Sequence, residues 1–282
     1  MVGLSERAVR AAVGVAGDHG LACELPEVVA DGSNVLVRLA PAPVLARVAT
    51  TTAAVRPRGG RDSLARDVEL AGWLAAQGAA VVPPSDELPP GPHERDRLWL
   101  TFWRHVEVEP ERPSPDEAGA ALRDLHEAMA DYPGDLPWLN TLAEVPRVLD
   151  RLAERGAVTP QDERRIRAAL AEVEPQLTGE ALPLHGDAHR NNLLRTRVGF
   201  RWTDFEDTCS GPLAWDLASM SWRDAEYGEA ALAEYGATPG LEPFIRARAL
   251  QVCAWLPVFA ERFPERRERY MARFADLRTR YA

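Results

Sequence analysis

The sequence predicts an α+β protein with two lobes: a small β-rich lobe over residues 1–103 and a larger, mainly helical lobe over residues 104–282. β-branched runs alternate with turn residues through the first hundred residues, whereas helix caps and apolar stripes dominate after residue 105. The length of 282 residues suits one large domain or two lobes. An apolar content of 46% with 27% charged residues is typical of a soluble enzyme and excludes a disordered or fibrous chain.

The N-terminal lobe is expected to combine short strands with two helices. The stretch AAVGVAG is short, weakly apolar and preceded by Glu6, so it is interpreted as part of an amphipathic helix rather than a signal peptide. Helical spacing over residues 63–77 ends at Gly78. Strands are expected in four short runs, at residues 27–30, 35–39, 44–48 and 98–103. The turn Pro41-Ala42-Pro43 joins the second run to the third and predicts a hairpin.

Capping residues mark the starts of the first helices of the C-terminal lobe. Ser114-Pro115-Asp116-Glu117 is a capping box with proline at the first helical position. Thr141-Leu142-Ala143-Glu144 is interpreted as a second capping box, whose helix ends at Gly156. Thr159 followed by Pro160 predicts the start of a third helix.

Strand and loop return over residues 182–208 before the chain becomes helical again. Gly199 separates the runs 193–197 and 200–203, which predicts a hairpin. From Gly211 to the last residue the pattern is helical. Breaks in these helices are expected near three prolines, Pro239, Pro257 and Pro264.

Composition excludes several classes of protein. The 33 basic side chains are all arginine, which excludes a Walker A loop, a Schiff-base lysine and a serine–lysine hydrolase. The three cysteines, Cys23, Cys209 and Cys253, form no C-x-x-C pair, so we expect no disulfide framework and a reducing, cytoplasmic location. The net charge of −10 argues against a nucleic-acid partner. The chain contains no apolar run of about 18 residues, so no membrane span is expected.

Three polar residues carry the pattern most informative about chemistry. Asp187 and Asn192 have the D-x-x-x-x-N spacing of a kinase catalytic loop, in which the aspartate accepts the proton of the substrate hydroxyl. Twelve residues later, Asp204 stands in the sequence Thr-Asp-Phe-Glu, where a kinase has D-F-G. The hairpin between them is expected to return Asp204 beside Asn192. Phosphoryl transfer needs such convergence, because its catalysis is mostly positioning and charge neutralisation.

The motif HGDAHRNN over residues 185–192, followed by TDFEDTCSGPLAWDLA over residues 203–218, resembles the aminoglycoside phosphotransferase family, which includes choline- and homoserine-kinase relatives. The resemblance covers nearly the whole chain and is most specific over residues 184–218. It implies a protein-kinase-like fold, ATP or GTP as donor, Mg²⁺ as cofactor and a small hydroxylated acceptor.

The resemblance also implies roles for individual residues. Asp187 would be the catalytic base, and Asn192 and Asp204 the magnesium ligands. Asp216 would brace the catalytic loop from the start of a helix. The two histidines of the loop would support or shape it, His185 as a structural member and His189 near the substrate.

The N-terminal lobe departs from the family at the cation that holds the nucleotide phosphates. Arg47, in the run Pro-Val-Leu-Ala-Arg-Val, stands where kinases have lysine; it keeps the charge but is longer and planar. At about 100° per residue, Asp67 shares the apolar face of its helix whereas Glu69 lies opposite, so Asp67 is the expected partner of Arg47. Two further nucleotide contacts are expected: the turn containing Ser33 over the phosphates, and the backbone of Thr101, Phe102 and Trp103 at the base edge.

Other interpretations remain at this point. His185 and His189 have the H-x-x-x-H spacing of a zinc pair, although the residues between them favour loop over helix. His126, beside the apolar stripe of its helix, is interpreted as a packing residue. The alternatives to an antibiotic kinase are a nucleotide-binding pseudokinase and a metabolic kinase that acts on choline, a sugar or an amino alcohol. A cationic acceptor is expected because four acidic residues follow the metal loop: Glu206, Asp207, Asp224 and Glu226.

Overall fold

The computed structural model describes residues 3–56, 60–236 and 240–282, and the chain divides into two compact units. Unit 1 comprises Met1–Arg112 together with Leu193–Glu206. Unit 2 comprises Pro113–Asn192 together with Asp207–Ala282. The α+β class is confirmed, because unit 1 contains a five-stranded sheet and unit 2 is mainly helical.

Unit 1 is built on an antiparallel sheet of order β1-β2-β3-β5-β4. Its strands are β1 (Leu25–Asp31), β2 (Asn34–Ala40), β3 (Val44–Ala49), β4 (His93–Arg95) and β5 (Leu98–Arg104). The predicted hairpin is present, with Val35 paired to Val48 and Arg38 to Leu45. Strand β4 was not anticipated; it is only three residues long and follows a proline-rich segment.

Two helices accompany this sheet, α1 (Leu4–Asp18) and α2 (Arg61–Ala76). Helix α1 buries its small apolar face, including Ala8, Ala12 and Val15, in one core with the sheet residues Val37 and Leu100. Helix α2 places Leu64, Asp67, Ala71 and Leu74 on its buried side. The predicted helix over residues 63–77 is therefore present, with the register expected for Asp67.

The hairpin predicted around Gly199 is present: strands β7 (Leu193–Thr196) and β8 (Gly199–Trp202) pair with each other within unit 1. The preceding strand, β6 (Leu182–Leu184), belongs to unit 2. Trp202 exchanges backbone hydrogen bonds with the segment around Val81, its N–H donating to Ala80 and its carbonyl accepting from Val82. The N–H of Glu109 likewise donates to the carbonyl of Arg195. These bonds explain why unit 1 differs from the expected lobe of residues 1–103: it extends to Arg112 and recruits the hairpin from further along the chain.

Unit 2 contains eight described helices and a two-stranded ladder in which β6 pairs with β9 (Cys209–Gly211). Its helices are α3 (Pro115–Met129), α4 (Asn140–Ala143), α5 (Val145–Glu154), α6 (Pro160–Val173), α7 (Ala214–Ser221), α8 (Ala225–Tyr235), α9 (Glu242–Arg262) and α10 (Arg267–Tyr281). Helix α9 is central, since it packs against α5, α6, α7 and α10 and buries thirteen of its residues.

The helix starts of unit 2 test the capping predictions. Ser114 and Glu117 form the predicted capping box, and the hydroxyl of Thr159 accepts the N–H of Asp162 at 3.1 Å. The second capping box is wrong: Thr141 lies inside α4, its side chain fully buried, and Leu139 precedes that helix without a side-chain cap. A separate helix, α5, begins at Val145. Pro146 suits the first turn of this helix because it has no N–H that needs a hydrogen-bond partner there.

The proline breaks are confirmed in part. Pro264 separates α9 from α10, as expected. Pro257 does not break α9, which continues to Arg262 because the residues around Pro257 are buried on nearly all sides and packing outweighs one lost hydrogen bond. Pro239 lies outside the described residues. Among the helices of the described chain, none is long and apolar enough to cross a membrane.

Candidate active site

The site residues predicted from sequence fall into two groups, one in each unit. In unit 1, Nη1 of Arg47 lies 3.0 Å from Oδ2 of Asp67 and 2.5 Å from Oδ1 of Asp204. The other carboxylate oxygen of Asp67 accepts the backbone N–H of Phe205 at 2.9 Å. Asp67 therefore holds both the guanidinium of Arg47 and the backbone next to Asp204. The pairing of Arg47 with Asp67 follows from the register argument; the part it plays in nucleotide binding stays a prediction.

Charge and burial oppose each other in this cluster. The side chains of Arg47 and Asp67 are 6% and 0% exposed, whereas that of Asp204 is 34% exposed. Burial acts to lower the pKa of Arg47, but the carboxylates of Asp204 and Asp67 outweigh it and raise that pKa. Burial raises the pKa of Asp67 to about 7 against the opposing charge of Arg47. Arg47 is thus a permanent cation, with one of its two carboxylates partly open to solvent.

The turn between β1 and β2 is short, as expected, and is tied down by backbone contacts. The carbonyl of Ser33 accepts the N–H groups of Thr51 and Thr52 at 3.1 and 3.2 Å. The hydroxyl of Thr51 donates to the carbonyl of Gly32 at 2.9 Å. Ser33 therefore stands on a turn whose backbone is already anchored, and its predicted contact with phosphates remains an expectation.

The backbone of β5 is tied to neighbouring segments of unit 1. The N–H of Phe102 donates to the carbonyl of Pro90, and its carbonyl accepts the N–H of Ser85. Thr101 is paired with Arg47 across the ladder between β3 and β5, and the indole N–H of Trp103 donates to the hydroxyl of Thr101 at 2.9 Å. The backbone N–H of Phe102 is therefore already engaged, and the contact of residues 101–103 with a nucleotide base stays a prediction.

Glu206 is buried in unit 1 among polar partners. Its carboxylate accepts the amide of Asn34 at 2.9 Å and lies 3.4 Å from Nη1 of Arg56. Asn34 in turn accepts the hydroxyl of Thr52 at 2.8 Å. Burial raises the pKa of Glu206, and the charge of Arg56 opposes that rise. The paired carboxylate links the turn after Asp204 to β2, and the acceptor contact expected of Glu206 stays a prediction.

In unit 2, the catalytic-loop motif leaves β6 and is pinned by Asp216. This fully buried carboxylate accepts the backbone N–H of His185 at 2.8 Å and that of Gly186 at 2.9 Å. Gly186 has φ +83°, and a Cβ there would lie 1.9 Å from the carbonyl oxygen of Asp207. Only glycine fits this turn, since it combines a left-handed backbone with close approach of another chain segment. Asp216 occupies the bracing position that the motif implies.

His126 belongs to this support, which the sequence analysis missed. Its Nε2 lies 3.1 Å from Oδ2 of Asp216, and its Nδ1 lies 3.0 Å from the hydroxyl of Tyr235. This geometry suits an imidazole that donates to the carboxylate and accepts from the phenol. His126 therefore orients Asp216 rather than merely packing, and its place beside the apolar stripe of α3 contained no signal of a partner 90 residues away.

Arg248 of α9 is the second residue that the sequence analysis missed. It is 2% exposed and forms an ion pair with Oδ1 of Asp187, whose side chain is 23% exposed. Its guanidinium also donates to Oε1 of Gln251 at 3.1 Å and lies over the ring of Trp215 at 5.6 Å. Burial lowers the pKa of Arg248 to about 10. A buried arginine inside a helix gives no sequence signal that distinguishes it from a surface arginine.

The remaining loop contacts set the shape around Asp187. The backbone N–H of Asp187 donates to Nδ1 of the fully buried His185 at 3.3 Å. Nε2 of His189 lies 3.5 Å from Oδ2 of Asp187. The side-chain amide of Asn192 donates to the carbonyl of Asp187 at 3.0 Å, which closes the loop. The structure therefore brings Asp187, His185, His189 and Asn192 together.

The other predicted acceptor residues have separate environments. Asp224 caps α8 by accepting the N–H of Tyr227 and pairs with Arg190 at 3.2 Å. Glu226 is exposed in the first turn of the same helix. Asp207 ends a short turn, and its carbonyl faces Gly186. Within the described residues, no group of three or more His, Cys, Asp or Glu side chains could hold a metal ion, so the H-x-x-x-H spacing of His185 and His189 is not part of such a cluster.

Similar folds among solved structures define the fold class of the protein. Amicoumacin kinase hAmiN, in complex with AMP-PNP, Ca²⁺ and Ami, matches with a TM-score of 0.69 and 12% identity, covering 94% of this chain and 91% of that one. Aminoglycoside-3'-phosphotransferase of type VIII matches with a TM-score of 0.63 and 19% identity, covering 87% of this chain and 97% of that one. Choline kinase LicA from Streptococcus pneumoniae matches with a TM-score of 0.63 and 14% identity, covering 94% and 96%. At such identities the likeness establishes a kinase-like fold.

A family model then gives the more particular assignment. The model of the phosphotransferase enzyme family APH matches residues 22–256, and the chain belongs to that family. The resemblance to the aminoglycoside phosphotransferase family is therefore confirmed, and the protein is a phosphotransferase that acts on small molecules with hydroxyl groups. No curated protein matches the chain by sequence.

Proposed function

We propose that this protein transfers the γ-phosphoryl group of ATP or GTP to a hydroxyl group of a small molecule, with Asp187 as the catalytic base. In that reaction the acceptor oxygen attacks the γ-phosphorus, Asp187 takes the hydroxyl proton, and the bond to the bridging oxygen of the nucleoside diphosphate breaks. The observation that carries the proposal is the setting of Asp187. Its loop is pinned by Asp216, and its carboxylate is oriented by Arg248 yet stays accessible.

Orientation of the base supports this role. A catalytic carboxylate must lie within hydrogen-bond reach of the proton that it accepts and must be held there. Arg248 holds one oxygen of Asp187, and the other faces His189 at 3.5 Å. The acceptor hydroxyl would approach the carboxylate on its solvent-accessible side.

Arg47 is proposed as the cation that holds the nucleotide phosphates. A guanidinium can form two parallel hydrogen bonds to phosphate, and its charge persists at every physiological pH. Its pairing with Asp67 would keep the side chain extended, as the lysine–glutamate pair does in kinases. Ser33, on its anchored turn, is the proposed second phosphate contact.

Asn192 and Asp204 are proposed to hold Mg²⁺. Their amide and carboxylate oxygens are the hard donors that this ion prefers. The NH₂ group of Asn192 is engaged by the carbonyl of Asp187, which leaves its amide oxygen for a metal. Asp204 keeps a third of its side chain exposed while contacting Arg47. When bound, the ion would neutralise charge on the phosphate oxygens.

The acceptor is proposed only as a small hydroxylated molecule. The expectation of a cationic acceptor depended on four acidic residues, of which Glu206 is buried against Arg56, and Asp224 is paired with Arg190. We therefore do not propose a role in antibiotic resistance, and metabolic alcohols remain candidate acceptors. Use of a nucleotide donor, together with free thiols at all three cysteines, would suit the cytoplasm.

A panel of alcohols incubated with Mg²⁺ and either ATP or GTP tests the function. We expect nucleoside diphosphate release and a product heavier by one phosphoryl group for at least one acceptor. Asp187→Asn should lower turnover by about two to four powers of ten while nucleotide affinity changes little. A matched control is Asp131→Asn, an exposed aspartate at the end of α3. Near wild-type turnover in Asp187→Asn would contradict the assigned base, and nucleotide binding without any turnover would favour a pseudokinase.

A further inference from the structure

Unit 2 contains a cavity of about 640 Å³ whose rim is formed by arginine. Four guanidinium groups line it, those of Arg223, Arg266, Arg269 and Arg273, and among the residues that the structure describes no acidic side chain does. This is unusual in a chain with a net charge of −10. The volume is in the range of roughly 300–1,000 Å³ that small-molecule sites occupy.

The arginines of the rim are only partly neutralised by protein carboxylates. Arg266 lies 3.4 Å from Glu265 and Arg273 lies 2.8 Å from Asp276, both as exposed pairs. In the part of the chain that the structure describes, neither Arg223 nor Arg269 forms an ion pair. Exposed pairs of this kind contribute little, so the rim keeps an excess of positive charge.

The arginines of the rim repel one another. Arg269 and Arg273 are four residues apart on α10, a spacing at which like charges repel. Arg223 and Arg273 both lie over the ring of Trp222, at 5.1 and 5.9 Å from its centroid. Loss of hydration lowers the pKa of Arg223, and the charge of Arg273 lowers it further by a smaller amount. An anionic group between these side chains would relieve the repulsion and form charge-assisted hydrogen bonds.

The floor of the cavity is apolar and aromatic. Val252, Leu256 and Phe259 follow one another at helical spacing along α9 and face Tyr270 of α10. The rings of Phe259 and Tyr270 stack at 5.8 Å between centroids. Such a floor suits a hydrocarbon or aromatic body, whereas the rim suits an anion, so the two parts specify one kind of amphipathic ligand.

The cavity and the catalytic loop are both built on helices α7 and α9 of unit 2. On α9, Val252 of the cavity lining is one helical turn, about 6 Å, from Arg248, whose guanidinium pairs with Asp187. On α7, Asp216 near the start of the helix holds the catalytic loop, and Trp222 of the cavity lining follows the last residue. The cavity therefore shares two helices with the residues that hold Asp187.

We propose that this cavity binds the acceptor, and that the acceptor is an alcohol with a carboxylate or phosphate group on an apolar body. This inference rests on the proposed phosphotransferase function for the identity of the ligand as acceptor. The anion would lie among Arg223, Arg269 and Arg273, and the body would pack against Phe259 and Tyr270. Such a substrate has the opposite charge to the one that the acidic composition suggested.

Three matched alcohols test the charge preference by isothermal titration without nucleotide. Phenyllactate is an anion, phenyllactamide is neutral and phenylalaninol is a cation, and all three share a benzyl group and a hydroxyl. We expect phenyllactate to bind at least about tenfold more tightly than the other two. Its affinity should fall as salt is raised, because exposed charges are screened over about 8 Å at physiological ionic strength.

Paired variants locate the binding. Arg223→Gln with Arg269→Gln should weaken phenyllactate about tenfold and leave phenyllactamide unchanged. The control is Arg267→Gln, an exposed arginine of the same helix outside the cavity lining, which should bind as the wild type does. With Mg²⁺ and ATP present, the double variant should raise the KM of any anionic acceptor about tenfold while kcat changes little.

The outcomes separate this inference from the proposed function. Equal binding of the three alcohols, an affinity for phenyllactate unaffected by the double variant, or phosphorylation confined to cationic or neutral alcohols would overturn the inference. Arginine-dependent binding of phenyllactate together with phosphorylation of anionic alcohols would support it. If no compound is phosphorylated although the titration shows the expected charge preference, the anion site stands and the phosphotransferase function fails.

Discussion

Arg47 contacts two carboxylates and an aromatic ring from a single strand position. Its Nη1 lies between Asp67 and Asp204, and its guanidinium carbon lies 5.5 Å from the centroid of Trp103. A lysine there could pair with one carboxylate as a point charge, but it would lack the planar group that spans two carboxylates and stacks on a ring. The arginine would thus adapt the proposed phosphate clamp to a chain that contains no lysine.

Substitutions in this cluster should separate the clamp from its neighbours. Arg47→Ala should raise the nucleotide KM by at least about tenfold and leave the acceptor KM nearly unchanged, because it removes a charged hydrogen-bond donor to phosphate. Arg47→Lys should retain part of the activity. Asp67→Ala should be milder than Arg47→Ala, since the cation remains. Initial rates at varied ATP measure all three.

Glu69→Ala is the matched control for Asp67→Ala, because Glu69 lies on the exposed side of α2. It should have little effect. A larger loss in Glu69→Ala than in Asp67→Ala would refute the assignment of Asp67. An unchanged ATP dependence in Arg47→Ala would require another arginine as the phosphate clamp.

Arg248 is proposed as a positioning residue for Asp187, and its effect should appear in kcat rather than in KM. Arg248→Met removes the guanidinium that holds one carboxylate oxygen of Asp187. Loss of orientation should lower kcat by about a hundredfold, with little change in nucleotide KM. Arg248→Lys should recover part of the rate. The measurement is kcat and nucleotide KM for both variants.

Arg246→Met provides the comparison on the same helix. Arg246 pairs with Glu172 at 2.9 Å in an exposed ion pair, so its loss should alter neither kcat nor the nucleotide KM. If Arg248→Met lowered stability but left kcat unchanged, Arg248 would be a packing residue only.

At the scale of the elements, the contact between α3 and α8 requires a glycine. A Cβ on Gly119 would lie 2.1 Å from the carbonyl oxygen of Ala231, and the backbone there cannot yield as a flexible side chain would. The contact matters for the site because α3 contains His126 and α8 ends at Tyr235, the two residues behind Asp216.

Gly119→Ala should therefore lower the free energy of unfolding by about 1–3 kcal/mol, the usual cost of overpacking. Chemical denaturation followed by circular dichroism measures this change. Gly17→Ala, in α1, is the control: no atom lies within 4 Å of the added methyl group, and the higher helix propensity of alanine should stabilise by up to about 1 kcal/mol. Equal stability of the two variants would show that α8 yields at this contact.

At the scale of the whole molecule, the net charge and the charge at the proposed acceptor cavity have opposite signs. The chain has 43 acidic and 33 basic side chains, yet four arginines concentrate positive charge around the cavity. Net charge influences solubility and association, whereas a ligand responds to the few groups within a Debye length. The acidic total therefore does not predict the charge of the acceptor.

Ligand binding should stabilise the whole molecule in a metal-dependent way. At a nucleotide concentration a hundred times its Kd, binding to the folded protein alone contributes about 2.7 kcal/mol. We expect Mg²⁺ with ATP to raise Tm, EDTA to reverse most of the rise, and Asp204→Asn to show a much smaller magnesium-dependent rise than the wild type. Thermal melts with and without Mg²⁺ measure it, with Glu69→Ala as control. A full magnesium-dependent rise in Asp204→Asn would exclude Asp204 as a metal ligand.

The sequence by itself determined the local structure and the class of the protein. The hairpin of β2 and β3, the capping box at Ser114 and the inward face of Asp67 all follow from spacing within one or two turns of chain. The loop motif between His185 and Asn192 identified the family for the same reason, because its chemistry requires particular residues at fixed short separations. These local patterns do not depend on how distant parts of the chain pack.

Only the tertiary structure decided which distant residues meet. Arg248 pairs with Asp187 across 61 positions, Asn34 holds Glu206 across 172, and the β7–β8 hairpin joins the earlier strands of unit 1. No periodicity encodes these contacts, since they depend on how helices and strands pack rather than on local propensity. The arginine cavity has the same origin: its lining comes from three helical regions whose arginines look like ordinary surface charges until packing brings them around one floor.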